Sequence, residues 1–367
     1  MYYSEAQARD LVVKAGHMLQ EKGLVERTWG NISARISETR FVITPSGLAY
    51  ETMRPEYLAV YDFADGSWQG PYKPSSEKGI HADAYRLRPE VAFVIHTHQD
   101  MASICGIRGE GLEAHDPLLG DRVPCAAYGL SSTKKLRRAV AKELEANPQS
   151  KAILMRRHGL LCVGKDMEEA FSLADRLEEL CSGRFTALVE APALPASPEE
   201  LGDSFRDGDY FTLKLGSQER HCPIYRKNGD AAANLHAAIY KNSDAQCILH
   251  CRDAYVLKAS RRLRRLRPML DDLAQIAGAD ILCVPPEEAK VLKALEGRSA
   301  VLIKGQGALC IGDAPDEARA VLRLLEKGCR AQAYADAIGG CRPLSYGDAL
   351  LQRIVFVKKY SKKKQRG

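Results

Sequence analysis

Apolar residues follow helical and strand-like spacing in turn along the first half of the chain. Helical spacing over residues 4–24 predicts a long helix that starts at Ser4, a good N-cap, and stops near Gly23. Short apolar runs at residues 40–47 and 57–63, bounded by glycine and proline, predict strands. Several neighbouring strands have connections too short for a crossover helix. We therefore expect a sheet that is not purely parallel, with helices on both faces.

The same alternation continues to residue 183. Helical spacing predicts helices over residues 77–90, 134–148 and 166–183, the last ending at a glycine. The apolar run 91–98 predicts a buried strand, and residues 152–164 predict a strand or a hairpin. Strands and helices thus alternate throughout this part of the chain, which is typical of an α/β fold.

The second half of the chain repeats the first. Residues 152–164 align with residues 300–312 at a constant offset, and the match continues through the following helix. Upstream, a strand-like run that ends at His96 resembles one that ends at His250. We infer a tandem duplication of one αβ unit. The predicted organisation is a first domain at 1–190, a proline-rich linker at 191–203, a degenerate repeat at 204–345 and a basic C-terminal tail at 346–367.

Composition excludes several classes of protein. The 367 residues are 45% hydrophobic and 27% charged, which is typical of a soluble globular chain with about two domains. No apolar run approaches the ~18 residues of a membrane helix, so no membrane partner is expected. Eleven cysteines at irregular spacing, without an export signal, favour reduced thiols and a cytoplasmic location.

The positive charge is concentrated at the C-terminus. The formal net charge of +6 is matched by the six basic residues among the last ten, 358–367. A short basic terminus is usually a solvated, disordered extension, so nucleic acid is not the expected partner. A second basic cluster, from Arg261 to Arg267, favours an exposed helix face or a subunit contact over an anion site.

Three histidines and one carboxylate follow predicted structural elements in a pattern that suggests metal chemistry. His96 and His98 stand two residues apart on a strand, so their imidazoles leave the same face. Two such imidazoles form half of a tetrahedral site for zinc or a similar divalent ion. His158 also ends an apolar run, and Glu77 begins a helix after two serines. Taken singly, each has a structural interpretation as a core histidine, a turn residue or part of a helix cap.

Five motifs together resemble the class II aldolase/adducin family, and in particular its L-fuculose-phosphate aldolase branch. The resemblance is strong over residues 1 to about 190, and the second half resembles the family only as a degenerate copy. The motifs are Gly30-Asn31-Ile32-Ser33, Ile43-Thr44-Pro45-Ser46-Gly47, Pro74-Ser75-Ser76-Glu77, His96-Thr97-His98 and His158-Gly159.

The resemblance implies a fold, a cofactor and a set of site residues. It implies a three-layer αβα unit with a mixed, largely antiparallel central sheet, present here twice. It implies Zn²⁺, or another divalent metal, held by His96, His98 and His158, with Glu77 beside the metal as ligand and acid/base. The residues implied to cradle a substrate phosphate are Asn31, Ser46, Gly47, Ser75 and Ser76. A glycine turn and a helix N-terminus are suited to binding an anion.

The activity implied is that of a zinc-dependent aldolase. Such a lyase cleaves or forms a carbon–carbon bond in a small phosphorylated ketose, with dihydroxyacetone phosphate as one partner, through a metal-stabilised enediolate. The loop 113–117 departs from the aldolase pattern, since it carries Asp116 where the family has a tyrosine. Related sugar-phosphate 4-epimerases use an aspartate in that loop, so Asp116 is a candidate catalytic residue and equally a candidate turn residue before Pro117.

Two alternatives to the aldolase stay open on the sequence. The same metal site would serve a sugar-phosphate 4-epimerase or a dehydratase, whereas a degenerate second copy also fits a non-catalytic, adducin-like assembly module. Family members form four-fold rings with sites at subunit junctions. A tandem chain is therefore expected to form a homo-oligomer, namely a dimer that acts as a pseudo-tetramer.

Overall fold

A computed structural model gives the architecture as two compact units, Met1–Leu188 and Val189–Gly367. The residues described are 2–25, 28–193 and 200–364, with side chains described as far as 358. The middle of the expected linker, residues 194–199, lies outside the described residues. The boundary between the two compact units lies after Leu188.

The first unit alternates strands and helices as its sequence pattern predicts. Its strands are β1 (Asn31–Arg35), β2 (Arg40–Ile43), β3 (Ala59–Asp62), β4 (Trp68–Gln69), β5 (Phe93–Thr97), β6 (Leu112–Asp116), β7 (Gly120–Val123), β8 (Cys125–Ala126), β9 (Ala152–Met155) and β10 (Gly159–Gly164). Its α-helices are α1 (Glu5–Glu21), α2 (Lys78–Leu87), α3 (Asp100–Cys105), α4 (Lys134–Ala146) and α5 (Met167–Leu188). Short 3₁₀ helices occur at Tyr50–Thr52 and Pro55–Tyr57.

One large sheet organises this unit. Its strand order is β4-β3-β2-β1-β5-β10-β9-β8, and β6 and β7 form a separate hairpin. Neighbouring strands are antiparallel except β8 and β9, which are parallel. The expectation of a mixed, largely antiparallel sheet is therefore confirmed.

Helices cover both faces of the sheet. One face packs against α2 and α4, where Tyr85 and Leu136 join Phe41 and Val94 in a fully buried core. Helices α1 and α5 pack on the opposite face against β1 and β10. The strands buried on both sides are near-continuous apolar runs, as such a position requires.

Local sequence sets the helix ends. Ser4 and Gln7 form a reciprocal capping box at the start of α1, and Gly23 leaves the helix with a φ of 70°. Thr133 caps α4 by accepting the Leu136 amide. Helix α5 is an exception, because it continues five residues past the expected stop at Gly183. That glycine has open space around it and keeps a helical backbone.

The second unit repeats this arrangement. Its strands are β11 (Asp203–Asp207), β12 (Tyr210–Leu215), β13 (Gln218–Pro223), β14 (Cys247–Cys251), β15 (Arg265–Leu266), β16 (Ile281–Val284), β17 (Ala300–Ile303) and β18 (Gly307–Gly312). Its helices are α6 (Ala231–Lys241), α7 (Ala254–Arg262), α8 (Asp271–Ile276), α9 (Glu288–Leu295), α10 (Pro315–Ala337) and α11 (Tyr346–Lys364). The sheet order is β13-β12-β11-β14-β18-β17-β16-β15, and only the β16–β17 pair is parallel. The order β3-β2-β1-β5-β10-β9-β8 of the first unit thus recurs strand for strand.

The basic C-terminal tail expected from residue 346 onward is helical instead. Helix α11 packs against α8, with Ala349 buried and the Gln352 side chain donating to Asp271. Arg353 donates to the carbonyl of Gln275. The apolar residues at the start of this segment give the helix a face to bury. The many lysines at its end make the segment basic in composition, and composition alone does not indicate this helix. Within the described residues, no helix is both long and apolar enough to cross a membrane.

Candidate metal centre

Four predicted side chains converge at one end of the first sheet. Glu77, His96, His98 and His158 each offer one ligand atom, and these atoms all lie within 4.8 Å of one another. Nε2 of His96 lies 3.0 Å from Nε2 of His98 and 3.2 Å from Oε2 of Glu77, and Nε2 of His158 lies 3.3 Å from Oε1 of Glu77. Atoms around a tetrahedral zinc ion are separated by about 3.3–3.6 Å. The donor set and its spacing therefore fit a divalent metal.

The sheet and two helix starts bring these residues together from distant parts of the chain. His96 extends the face on which Val94 packs against α2 and α4, so its imidazole projects toward the ends where those helices begin. Glu77 is the residue directly before α2. His158 lies in the turn between β9 and β10, and β10 pairs with β5. Strand pairing thus fixes both histidine-bearing segments side by side.

Hydrogen bonds to the protein orient two of the imidazoles. Nδ1 of His96 lies 2.7 Å from the carbonyl oxygen of Leu160. A carbonyl only accepts, so Nδ1 carries the hydrogen and the lone pair of Nε2 faces the cluster. Nδ1 of His158 contacts Oγ of Ser131 at 3.2 Å, and this hydroxyl can either accept or donate. The arrangement at His96 is the one in which a histidine serves as a metal ligand through Nε2.

Two glycines let the backbone approach the cluster closely. A Cβ at Gly159 would lie 2.2 Å from the Thr97 carbonyl oxygen, on the strand that carries His96. A Cβ at Gly30 would lie 2.6 Å from the His96 carbonyl oxygen, and Gly30 has a φ of 84°. The glycines beside the histidine and asparagine motifs are therefore required by the packing of β1 and β10 against β5.

The loop before α4 is a part of the site that the sequence did not predict. The backbone amide of Ser132 donates to Oε1 of Glu77 at 3.2 Å, and Oγ of Ser132 contacts Oγ of Ser76 at 2.7 Å. Ser132 has a φ of 63°, and Arg157, next to His158, has a φ of 64°. Left-handed conformations of non-glycine residues concentrate at functional sites. The sequence signal was the Ser-Ser pair before a helix, repeated at 75–76 and 131–132.

Burial and charge act in opposite directions on Glu77. Burial alone would raise the pKa of its carboxyl group, but the imidazoles of His158 and His96 hold this pKa well below its ordinary value. Glu77 is only 7% exposed. The structure therefore places a buried carboxylate against two imidazoles.

The residues expected to bind phosphate fall on two adjacent loops and one strand. Loops 44–47 and 73–76 pair through backbone hydrogen bonds from Ser46 to Lys73 and from Ser75 to Thr44. Gly47 has a φ of 77° in the first loop. The Ser75 hydroxyl accepts the Glu77 amide, and Ser76 contacts the loop before α4. These serines thus border Glu77.

Asn31 lies directly beside Glu77. It is 5% exposed, its Nδ2 donates to Oε2 of Glu77 at 3.3 Å, and its Oδ1 contacts His81. Both ends of its amide are therefore engaged inside the protein.

Asp116 lies on the β6–β7 hairpin and is not a member of the four-residue cluster. Its Oδ1 accepts the amides of Leu118 and Leu119, and its Oδ2 accepts from Nε of Arg176 at 2.7 Å. The hydrogen bond from Arg176 lowers the pKa of the Asp116 carboxyl group. These contacts are those of the turn residue that the sequence left open as an alternative.

An Asp116→Asn variant decides between the two roles. Asparagine keeps the acceptor for the turn amides but loses the ion pair, so we expect nearly wild-type turnover with a small fall in Tm. The measurements are a steady-state assay and thermal unfolding of the same preparation. A loss of turnover on the order of 10²-fold or more would instead support the acid–base role.

The second unit does not repeat the cluster. Its His250 corresponds to His96, but its Nδ1 accepts the Leu201 amide and its Nε2 contacts the carbonyl oxygen of Gln306. Gln306 stands where the first unit has His158. Across the side chains described, no second group of three or more potential ligands was found. The copied scaffold thus persists where the ligands have changed.

Fold and site together define a class of protein, an antiparallel αβα protein with three histidines and a carboxylate gathered at one sheet end. The sequence profile described as "Class II Aldolase and Adducin N-terminal domain" matches residues 10–184 and 208–333. The chain therefore belongs to this family and matches it in both units.

Named relatives agree with the family. A 5-methylthioribulose-1-phosphate/5-deoxyribulose-1-phosphate aldolase of Rhodospirillum rubrum is 32% identical over 195 residues, covering 52% of this chain and 86% of the relative. An L-fuculose phosphate aldolase of Haemophilus influenzae is 31% identical over 182 residues, covering 48% and 82%. A solved L-fuculose 1-phosphate aldolase structure is 27% identical and covers 52% of this chain and 92% of its own, with a TM-score of 0.46. The expectation of an aldolase-type lyase is confirmed.

Proposed function

We propose that this protein is a zinc-dependent aldolase that cleaves or forms a carbon–carbon bond in a small phosphorylated ketose. The observation that carries the proposal is the largely buried convergence of three imidazoles and one carboxylate, whose ligand atoms all lie within 4.8 Å of one another. Nitrogen and oxygen donors in this number suit Zn²⁺, and another divalent ion is an alternative occupant. His96, His98 and His158 would hold the ion, with Glu77 beside it.

In the proposed reaction the cation stabilises negative charge and the protein transfers the proton. When bound, the cation supplies Lewis-acid stabilisation of the negative charge that develops on substrate oxygen. Glu77 moves the proton that leaves the substrate next to its carbonyl group. Its carboxylate suits this role because it is buried next to the histidine ligand atoms and each of its oxygens accepts a hydrogen bond from the protein. The Ser132 amide donates to one of its oxygens and Asn31 donates to the other. A fixed carboxylate needs no rearrangement when the proton moves.

The phosphate end of the substrate is assigned to the neighbouring loops. In this proposal Asn31, Ser46, Gly47, Ser75 and Ser76 cradle the phosphate. The pairing of loops 44–47 and 73–76 supports this role, as does the start of α2, where backbone amides favour an anion. The named relatives are a 5-methylthioribulose-1-phosphate/5-deoxyribulose-1-phosphate aldolase and an L-fuculose phosphate aldolase, which agrees with a phosphate held next to the cluster.

The second unit is assigned to assembly. It belongs to the same family by sequence, but its described residues do not form the ligand set. We therefore propose a homo-oligomer, a dimer of two-unit chains, and a monomeric mass in solution would overturn that part. A cytoplasmic location is also part of the proposal, supported by the eleven cysteines, among which no disulfide is formed.

A product assay tests the proposed activity. Purified protein loaded with Zn²⁺ is incubated with 5-deoxyribulose 1-phosphate and with fuculose 1-phosphate, and dihydroxyacetone phosphate is measured alongside metal per chain. We expect about one metal per chain and release of dihydroxyacetone phosphate from at least one ketose. An isomeric sugar phosphate without dihydroxyacetone phosphate would indicate an epimerase. A metal-free, inactive protein would indicate an assembly module.

A further inference from the structure

A continuous chain of buried hydrogen bonds runs from the core of the first unit to Glu77. The hydroxyls of Tyr85 and Ser33 are 2.7 Å apart, and Oγ of Ser33 lies 2.6 Å from Nδ1 of His81. Nε2 of His81 contacts Oδ1 of Asn31, and Nδ2 of Asn31 contacts Oε2 of Glu77 at 3.3 Å. Tyr85, Ser33 and His81 are fully buried.

The Glu77 carboxylate and the neutral ring of His81 together fix which group donates in each of these hydrogen bonds. The carboxylate of Glu77 only accepts, so the amide of Asn31 must turn its NH₂ group toward Glu77 and its oxygen toward His81. Nε2 of His81 must then donate. Burial lowers the pKa of His81 to about 3, so the ring is neutral and its Nδ1 accepts from Ser33. Tyr85 in turn donates to Ser33. A flipped Asn31 amide would set an oxygen against the carboxylate and break the sequence of donors.

Among the residues described, the second unit contains the same interior group without the connection to a carboxylate. Oγ of Ser204 lies 2.7 Å from both Nδ1 of His236 and the hydroxyl of Tyr240. Ser204 corresponds to Ser33, so the residue that corresponds to Asn31 is Gly202, which has no side chain. The serine–histidine–tyrosine group therefore serves the fold in both units. The asparagine occurs only in the unit that has the metal ligands.

We propose that Asn31 is a positioning residue that fixes the carboxylate of Glu77 to the buried serine–histidine–tyrosine group. His81 sets the orientation of the Asn31 amide, and the amide holds Oε2 of Glu77 in place while the Ser132 amide holds Oε1. Asn31 then acts on the metal site through Glu77, in addition to its place beside the phosphate loops. This inference rests on the proposed function only in taking the cluster to be a metal site.

Titration of the metal-free protein with Co²⁺ tests the role without any substrate. Partners of metal ligands typically contribute about 10–100-fold to metal affinity. We expect Asn31→Ala to weaken Co²⁺ binding by about that factor and to alter the visible absorption of the bound ion, because Glu77 becomes mobile. In a Glu77→Ala background the same Asn31→Ala change should have no further effect.

Two controls separate positioning from folding. Gly202 shows that the αβ unit folds without an asparagine at this position, so Asn31→Ala should keep its Tm within a few degrees of the wild type. Ser204→Ala removes the interior hydrogen bonds of the second unit and should leave Co²⁺ affinity unchanged. Ser33→Ala, its counterpart in the first unit, should weaken Co²⁺ binding, because His81 loses the donor that fixes its tautomer.

The outcomes distinguish this inference from the proposed function. Wild-type protein that binds no Co²⁺ would overturn the metal site and, with it, the inference. Wild-type binding that is unchanged in Asn31→Ala would overturn the inference alone. A higher KM for the phosphorylated ketose at unchanged Co²⁺ affinity would assign Asn31 to the phosphate alone and likewise overturn the inference.

Discussion

Replacing Glu77 with glutamine is expected to lower turnover by about 10²–10⁴-fold, the range contributed by a well-placed acid–base group. Glutamine has nearly the same shape and keeps an oxygen beside the histidines, but it can neither take up nor release the proton at working pH. The one glutamine oxygen can accept from Ser132 or from Asn31 but not from both, so one of the two hydrogen bonds that hold the carboxylate is lost. The measurement is kcat on the ketose phosphate that the wild type cleaves, together with metal per chain.

Metal content separates this effect from a loss of the site. We expect the Glu77→Gln variant to retain its metal at saturating Zn²⁺, since the three histidines are unchanged and the glutamine oxygen can face them. Glu143→Gln is a suitable control, because the Glu143 carboxylate accepts from Asn147 at the end of α4 and belongs to no part of the cluster, so this variant should leave both kcat and metal content unchanged. Wild-type turnover in Glu77→Gln would remove Glu77 from the chemistry.

Most of the fold could be predicted from periodicity, because the elements are long or bounded by clear signals. Helix α1 has a capping box at Ser4, and β5 is a continuous apolar run between charged and polar flanks. The end of α5 could not be predicted, because a glycine ends a helix only where the backbone leaves the helical region, and Gly183 does not. The C-terminal helix was missed because the charge of its lysines outweighed the apolar positions at its start.

Some residues of the candidate site could likewise be predicted from the sequence, and others could not. The four cluster residues carry recognisable chemistry, so their motifs predicted them. Ser132 contributes through its backbone amide and has a left-handed φ. The sequence indicates neither feature except by a Ser-Ser pair, which is common. His81 was seen only as part of a helix. Its role depends on three-dimensional contacts with Ser33 and Asn31 that spacing does not reveal.

Removal of one imidazole is expected to abolish stoichiometric metal binding. Zinc sites of four ligands have binding free energies of about 10–16 kcal/mol, so one ligand contributes on the order of 10²–10³-fold in affinity. For His96→Ala we therefore expect little metal after dialysis and loss of activity. The variant also loses the hydrogen bond to Leu160 that orients the ring. Metal per chain by atomic absorption, followed by Zn²⁺ titration, gives the result.

The second unit provides a matched control, because His250 occupies the position of His96 on an equivalent strand. His250 bonds to the backbone of Leu201 and Gln306, so His250→Ala should cost stability but leave metal content at the wild-type value. His98→Ala removes a less buried ligand and should lose metal even if His96→Ala folds poorly. Metal retained by both His96→Ala and His98→Ala would show that the bound ion lies elsewhere, and the three-histidine centre would then be wrong.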